Sequence, residues 1–203
     1  MDLSPQRART RQAILDAAAA QWSRDPTVGL GDIAATAGVG RATIHRYFSD
    51  RQVLHTALIT DSWMTLRAAI EHAGPATDSA LEVIQRIITA MVHAGDRMSF
   101  LFTTTDGTPS DADAGIAREV DELILAEIER GQREGALDSA VPARWIELMI
   151  WSTVYTGLRA AADGLVPRHG VDELIRRTLR RAVSEQPGPT RGWQPRAPAG
   201  GIR

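Results

Sequence analysis

Residues 41–47, Arg-Ala-Thr-Ile-His-Arg-Tyr, set two guanidiniums, a hydroxyl, an imidazole and a phenol within about two turns of one helix. Such groups donate hydrogen bonds to phosphate oxygens and base edges. A guanidinium fork can hold a phosphate through two donors or read a guanine edge. Ile44 and Phe48, four residues apart, form the inner face of this helix, which leaves Arg41, Ala42, Thr43, His45, Arg46 and Tyr47 outside it. The chemistry on offer is nucleic-acid binding. Catalysis has no comparable set. All 23 basic residues are Arg, and there is no Cys. Absent Cys excludes disulfides, thiolate zinc sites, iron–sulfur clusters and thiol nucleophiles. Absent Lys excludes a Walker-A loop, a pyridoxal Schiff base and a Ser–Lys pair. The five histidines, His45, His55, His72, His93 and His169, are dispersed and form no Glu-x-x-His pair. No catalytic residue, metal or cofactor is expected.

The elements that must position these residues read as a helix-turn-helix over residues 30–54. Ile33 and Ala37 give the inner face of a short helix at about Gly31–Ala37. Gly38 follows where a left-handed residue is needed, and Val39 plugs the turn. Small Ala34, Ala35 and Ala37 let this helix cross closely over the next, at about Arg41–Phe48. Before the pair, a helix from about Pro5 to Trp22 aligns Ile14, Ala18 and Trp22, with Ser4 as N-cap and Pro5 at the first helical position. After it, Asp50 is an N-cap for a helix reaching about His72, closed by Gly74-Pro75.

The stretches IAATAGV, RATIHRYF and SDR, preceded by RQAILDAAAAQW, resemble the tetracycline-repressor (TetR) family of bacterial transcriptional regulators over about residues 10–55. The resemblance implies contacts to phosphates and bases from Thr43, His45 and Tyr47, with sequence selection by Arg41 and Arg46. It implies a phosphate clamp at Arg51, where the family usually has Lys, favoured by the nearby helix terminus. Gly40 stands where Ser or Thr commonly caps the recognition helix, and Gly29 replaces a Ser or Thr before the preceding one. His45 replaces a usual Tyr, which makes its contact sensitive to protonation. Arg7, Arg9 and Arg11 read either as a minor-groove arm or as a solvated tail.

Net charge is −2, and it hides an asymmetry: residues 1–51 carry +2, residues 52–175 carry −10 and residues 176–203 carry +6. A polyanion is repelled by the middle and accepted only at an end. Strand signals are poor, and apolar residues recur at helical spacing almost throughout. The expected fold is all-α, with about nine helices: a helix-turn-helix DNA-binding domain at 1–51, a helical ligand-binding and dimerisation domain at 52–186, and a disordered tail at 187–203 in which Trp193 could dock. Later helices are expected at about 79–94, starting after Asp78, and at 96–102, 116–133, 142–162 and 171–184, with Thr103–Gly115 a loop. No signal peptide or membrane span is read, so the expected location is cytoplasmic.

In the last of these helices Val171, Leu174, Ile175, Leu179 and Val183 make an apolar stripe. The one before it, with Val154 and Leu158, is apolar nearly all round, and Gly157 permits close approach. This reads as a four-helix homodimer interface, which the resemblance also implies; the stripe could instead pack within one subunit. A two-fold dimer requires a pseudo-palindromic double-stranded DNA operator, with half-sites roughly 34–36 Å apart or somewhat more. Trp63, Arg67, Met91, His93, Phe102, Met149, Trp151 and Tyr155 lie on the helices that enclose the small-molecule pocket in the family. They suit a largely apolar effector with His93 or Arg67 as polar anchor, although Trp151 also fits an interface. The function so read is a ligand-released repressor. The alternatives are a DNA-binding helical protein without effector and a helical-bundle enzyme.

Overall fold

The structure, a computed structural model, describes residues 4–73, 78–103 and 111–183. Among these the chain forms α1 (Pro5–Trp22), α2 (Leu30–Thr36), α3 (Arg41–Tyr47), α4 (Arg51–Glu71), α5 (Ala80–His93), α6 (Gly95–Thr103), α7 (Asp111–Arg133), α8 (Ala143–Ala162) and α9 (Val171–Val183). A 3-10 turn at Arg168–Gly170 leads into α9, and no strand occurs among the described residues. The closure at Gly74-Pro75 and the tail with Trp193 lie outside the described residues.

Local chemistry sets most boundaries. Asp50 caps α4 by accepting from the Val53 amide at 2.9 Å. Gly38 and Gly135 end α2 and α7 with φ of 67° and 72°, a region that costs a Cβ-bearing residue. Ser4 precedes α1 but makes no side-chain cap bond, so Pro5 alone marks that start. The cap of α5 is Ser79, in a reciprocal capping box with Glu82, while Asp78 pairs with Arg86 at 2.6 Å. Helix α7 begins five residues earlier than periodicity indicated, inside the expected loop. Asp111 and Asp113 lie in the first turn, where the helix dipole favours acidic residues, and the intervening alanines are good helix formers.

Two cores form. Ile14, Leu15, Ala18, Trp22, Ile33, Ala34, Ile44 and Phe48 pack with Leu54, Leu58 and Ile59 of α4. A larger core starts at Leu66 and Ile70 and gathers α5, α7, α8 and α9. Packing therefore changes hands within α4, about a dozen residues beyond the boundary expected at 51. On α2 the buried partner of Ile33 is Ala34, with Ala37 at the edge and Ala35 exposed.

Most of the expected dimer stripe packs within its own chain. Val154, Val171, Ile175, Leu179 and Val183 are buried in their own subunit, and Leu158 packs against the same core. The cause is the close approach of α9 to α8 at Gly157, where a Cβ would come within 2.5 Å of Ile175 Cδ1. Of the stripe only Leu174 remains outward, 46% exposed, together with Trp145 at 60% and Leu148 at 49% on α8.

Candidate nucleic-acid interface and aromatic cluster

Helix α3 is held from beneath by Ile44 and Phe48, both buried; Arg41, His45 and Arg46 are exposed, and Thr43 and Tyr47 are half-buried, Tyr47 against the N-terminal core. Thr43, Arg46 and Tyr47 line a groove of about 620 Å³ with Ser4, Gln6, Arg7 and Thr10 of the α1 start and Gly38–Gly40 of the turn. The groove is polar, carries two guanidiniums and sits at the end of the molecule where the +2 segment lies. The Arg46 guanidinium is 5.8 Å from the Tyr47 ring centroid, a cation–π distance that holds both against the helix.

The remaining contact candidates are arranged differently. Arg41 leans back over α2: a Cβ on Gly31 would meet its Nε at 3.3 Å. His45 points away from the groove, and its Nδ1–H donates to the Ser49 carbonyl at 3.1 Å. Arg7, Arg9 and Arg11 belong to helix α1, so no extended arm forms from them. Arg11 lies 5.6 Å from the Phe48 ring. Arg51 departs most from expectation. Its guanidinium donates to the carbonyls of Pro26 and Val28, and its Cζ lies 4.6 Å from the Trp22 ring centroid.

In the helical body four aromatic residues come together from three helices. Trp63 of α4 meets Trp151 of α8 at 6.1 Å, Trp151 meets Phe102 of α6 at 6.1 Å, and Phe102 meets Tyr155 at 5.0 Å, all near edge-to-face. Met91 is buried deep in the body core and Met149 packs at its edge. Arg67 is not an inward anchor: it faces out and pairs with Glu71 at 2.9 Å and Glu119 at 2.7 Å. His93 lies apart from the aromatics, in a cleft of about 300 Å³ with Arg24, Asp96 and Arg168.

Helix α6 joins the two cores. Phe100 lies in the N-terminal core against Trp22 at 6.2 Å and His55 at 5.2 Å, whereas Phe102 lies in the aromatic cluster. Residues two apart on a helix diverge by about 200°, and that spacing is the signal by which these two could have been separated. Arg97 reinforces the junction with bonds to Asp16 of α1 at 2.7 Å and Asp61 of α4 at 2.8 Å. No sequence pattern links three residues so far apart. Burial, and then the Arg51 charge, hold the His55 imidazole below its ordinary value. Among the described residues no group of three or more His, Cys, Asp or Glu could hold a metal ion, and no helix is long and apolar enough to cross a membrane.

Comparison with known proteins gives a consistent picture. Residues 14–58 match the family profile described as bacterial regulatory proteins, tetR family. The HTH-type transcriptional repressor LfrR of Mycolicibacterium smegmatis is 33% identical over 181 residues, spanning 89% of this chain and 94% of LfrR. The crystal structure of LfrR in complex with proflavine superposes with a TM-score of 0.73 at 32% identity, covering 89% of this chain and 99% of that one. The ketosteroid regulator KstR2 of Mycobacterium tuberculosis shares the fold, with a TM-score of 0.71 at 14% identity over 91% of this chain and 98% of its own.

Proposed function

Since this chain belongs to the TetR family of transcriptional regulators, we propose that it is a dimeric repressor whose DNA complex is released by a planar aromatic effector. The observation that carries the reading is the ring cluster Trp63–Trp151–Phe102–Tyr155. Edge-to-face rings can turn to stack on an inserted flat ring, exchanging one favourable aromatic geometry for another. The LfrR complex with proflavine supports this effector class, proflavine being a planar aromatic cation.

DNA is met by the groove of Arg7, Thr10, Thr43, Arg46 and Tyr47. Two copies joined through α8 and α9 carry two recognition helices, which fit a pseudo-palindromic operator. Coupling runs through α4 and α6, since each contributes to both cores: Leu58 and Trp63 on α4, Phe100 and Phe102 on α6. An effector that displaces Phe102 and Trp63 shifts both helices and with them the N-terminal unit. The energy available is the effector's difference in affinity between the two arrangements.

The test is a mobility shift on the DNA flanking the protein's own gene. Wild type retards the fragment and proflavine releases it. Trp151→Ala retards it equally and resists release by at least tenfold more proflavine. Failure of wild type to retard this DNA at low salt overturns the operator reading. Proflavine that leaves both the complex and the tryptophan fluorescence unchanged overturns the effector class.

A further inference from the structure

Arg51 stands at the first position of α4, in the place where the family resemblance implies a phosphate clamp, and its guanidinium is engaged by groups of the N-terminal unit. Its two terminal nitrogens donate to the Pro26 and Val28 carbonyls, and its Cζ lies 4.6 Å from the Trp22 ring centroid, a cation–π distance. The Val28 carbonyl is shared, because the Trp22 indole N–H also donates to it at 3.0 Å. The loop that offers these carbonyls is itself braced. Asp25 accepts from the Thr27 amide at 2.8 Å and from its hydroxyl at 2.6 Å. Asp25 ionises more readily as a result, chiefly through those Thr27 bonds.

The position of this loop matters because Gly29, the residue after Val28, is the N-cap of α2. Helix α2 carries α3: Ile33 and Ile44 are both fully buried, and the turn closes with the Val39 amide on the Ala34 carbonyl at 2.9 Å. A group that ties the start of α4 to Val28 therefore sets where the recognition helix stands relative to the body. The guanidinium fork reaches the two carbonyls from two separate nitrogens while its Cζ faces the indole. An ammonium is a single point of charge and must give up part of that set.

Building on the operator-binding reading, we infer that Arg51 is a positioning residue, a clasp that fixes α2 and the recognition helix through Trp22, Pro26 and Val28 and does not hold a DNA phosphate. A clasp and a clamp differ in salt dependence. Each phosphate contact contributes about 0.9 to the slope of log affinity against log salt. A positioning residue changes affinity and leaves that slope alone.

The experiment measures binding of the full-length protein to its flanking DNA between about 50 and 200 mM salt, for wild type, Arg51→Ala and Arg51→Lys, with amide hydrogen exchange of residues 23–30 in the free proteins. The clasp predicts about tenfold weaker binding in Arg51→Ala with the slope retained, no recovery in Arg51→Lys, and at least tenfold faster exchange in the loop for both. A flattened slope in Arg51→Ala, restored by Arg51→Lys, with loop exchange as in wild type, overturns it in favour of the clamp. Unchanged affinity in Arg51→Ala overturns it as well. If wild type binds no DNA, the operator reading fails on its own, while loop exchange in Arg51→Ala still decides whether the clasp exists.

Discussion

Glu147 sits on the inward side of α8 with no exposed surface, one oxygen 2.5 Å from Arg144 and the other buried without a hydrogen-bonding partner. Burial, and next the neighbouring Asp121 carboxyl of α7, push its pKa up to about 7 against the pull of Arg144. A carboxyl raised above its ordinary 4.5 binds more protons folded than unfolded. Its contribution to stability is present below that ordinary value and is lost as pH rises through about 7. Glu147→Gln keeps the shape and removes the titration. Thermal melts should therefore show wild type falling relative to the variant as pH rises from about 4.5 to about 7, with no further divergence above that range. Parallel curves for the two proteins would remove Glu147 from the pH dependence.

At the scale of elements, the seating of α9 on α8 depends on Gly157. A Cβ there would lie 2.5 Å from Ile175 Cδ1, 2.7 Å from Ile175 Cγ1 and 3.2 Å from Val171 Cγ2. Gly157→Val forces these side chains off their rotamers and should lower the unfolding free energy by about 1–3 kcal/mol, read from urea denaturation midpoints. Gly115→Ala is the matching control. Nothing lies within 4 Å of its added Cβ, and α7 gains by up to about 1 kcal/mol from a better helix former. A Gly157→Val variant as stable as wild type would mean that the α8–α9 approach does not depend on the missing Cβ. The same contact covers most of the stripe expected at the interface. A stripe of Val171, Ile175, Leu179 and Val183 is equally amphipathic whether its cover is another subunit or α8 of its own chain.

For the whole molecule, an apolar surface is left where α8 and α9 face outward, at Trp145, Leu148 and Leu174. A second copy meeting that surface by two-fold symmetry would bury it against itself. Leu148→Asp with Leu174→Asp should halve the mass seen by sedimentation while leaving helix content intact by circular dichroism. Ile175→Asp should unfold the protein, because it puts an unpaired charge into the body core. A double variant that keeps the wild-type mass would move the dimer contact elsewhere. The uneven charge fits the same arrangement: the acidic body repels DNA, so approach is oriented toward the helix-turn-helix end.

What was legible in the residues themselves was local. The periods of Ile14–Ala18–Trp22 and Ile44–Phe48, the left-handed Gly38 and the Asp50 cap act within a few positions of one another, so order in the chain determines them before any packing occurs. The helix-turn-helix and its outward face of Thr43, Arg46 and Tyr47 follow from that alone. Tertiary structure decided whatever depends on partners distant in sequence. It drew Arg51 onto Pro26 and Val28, divided Phe100 from Phe102 between two cores, turned Arg67 out to Glu119, set His93 apart from the aromatic rings and buried the α9 stripe within one subunit. A guanidinium or an apolar stripe states what kind of neighbour it needs, and only the folded chain selects which neighbour lies within reach.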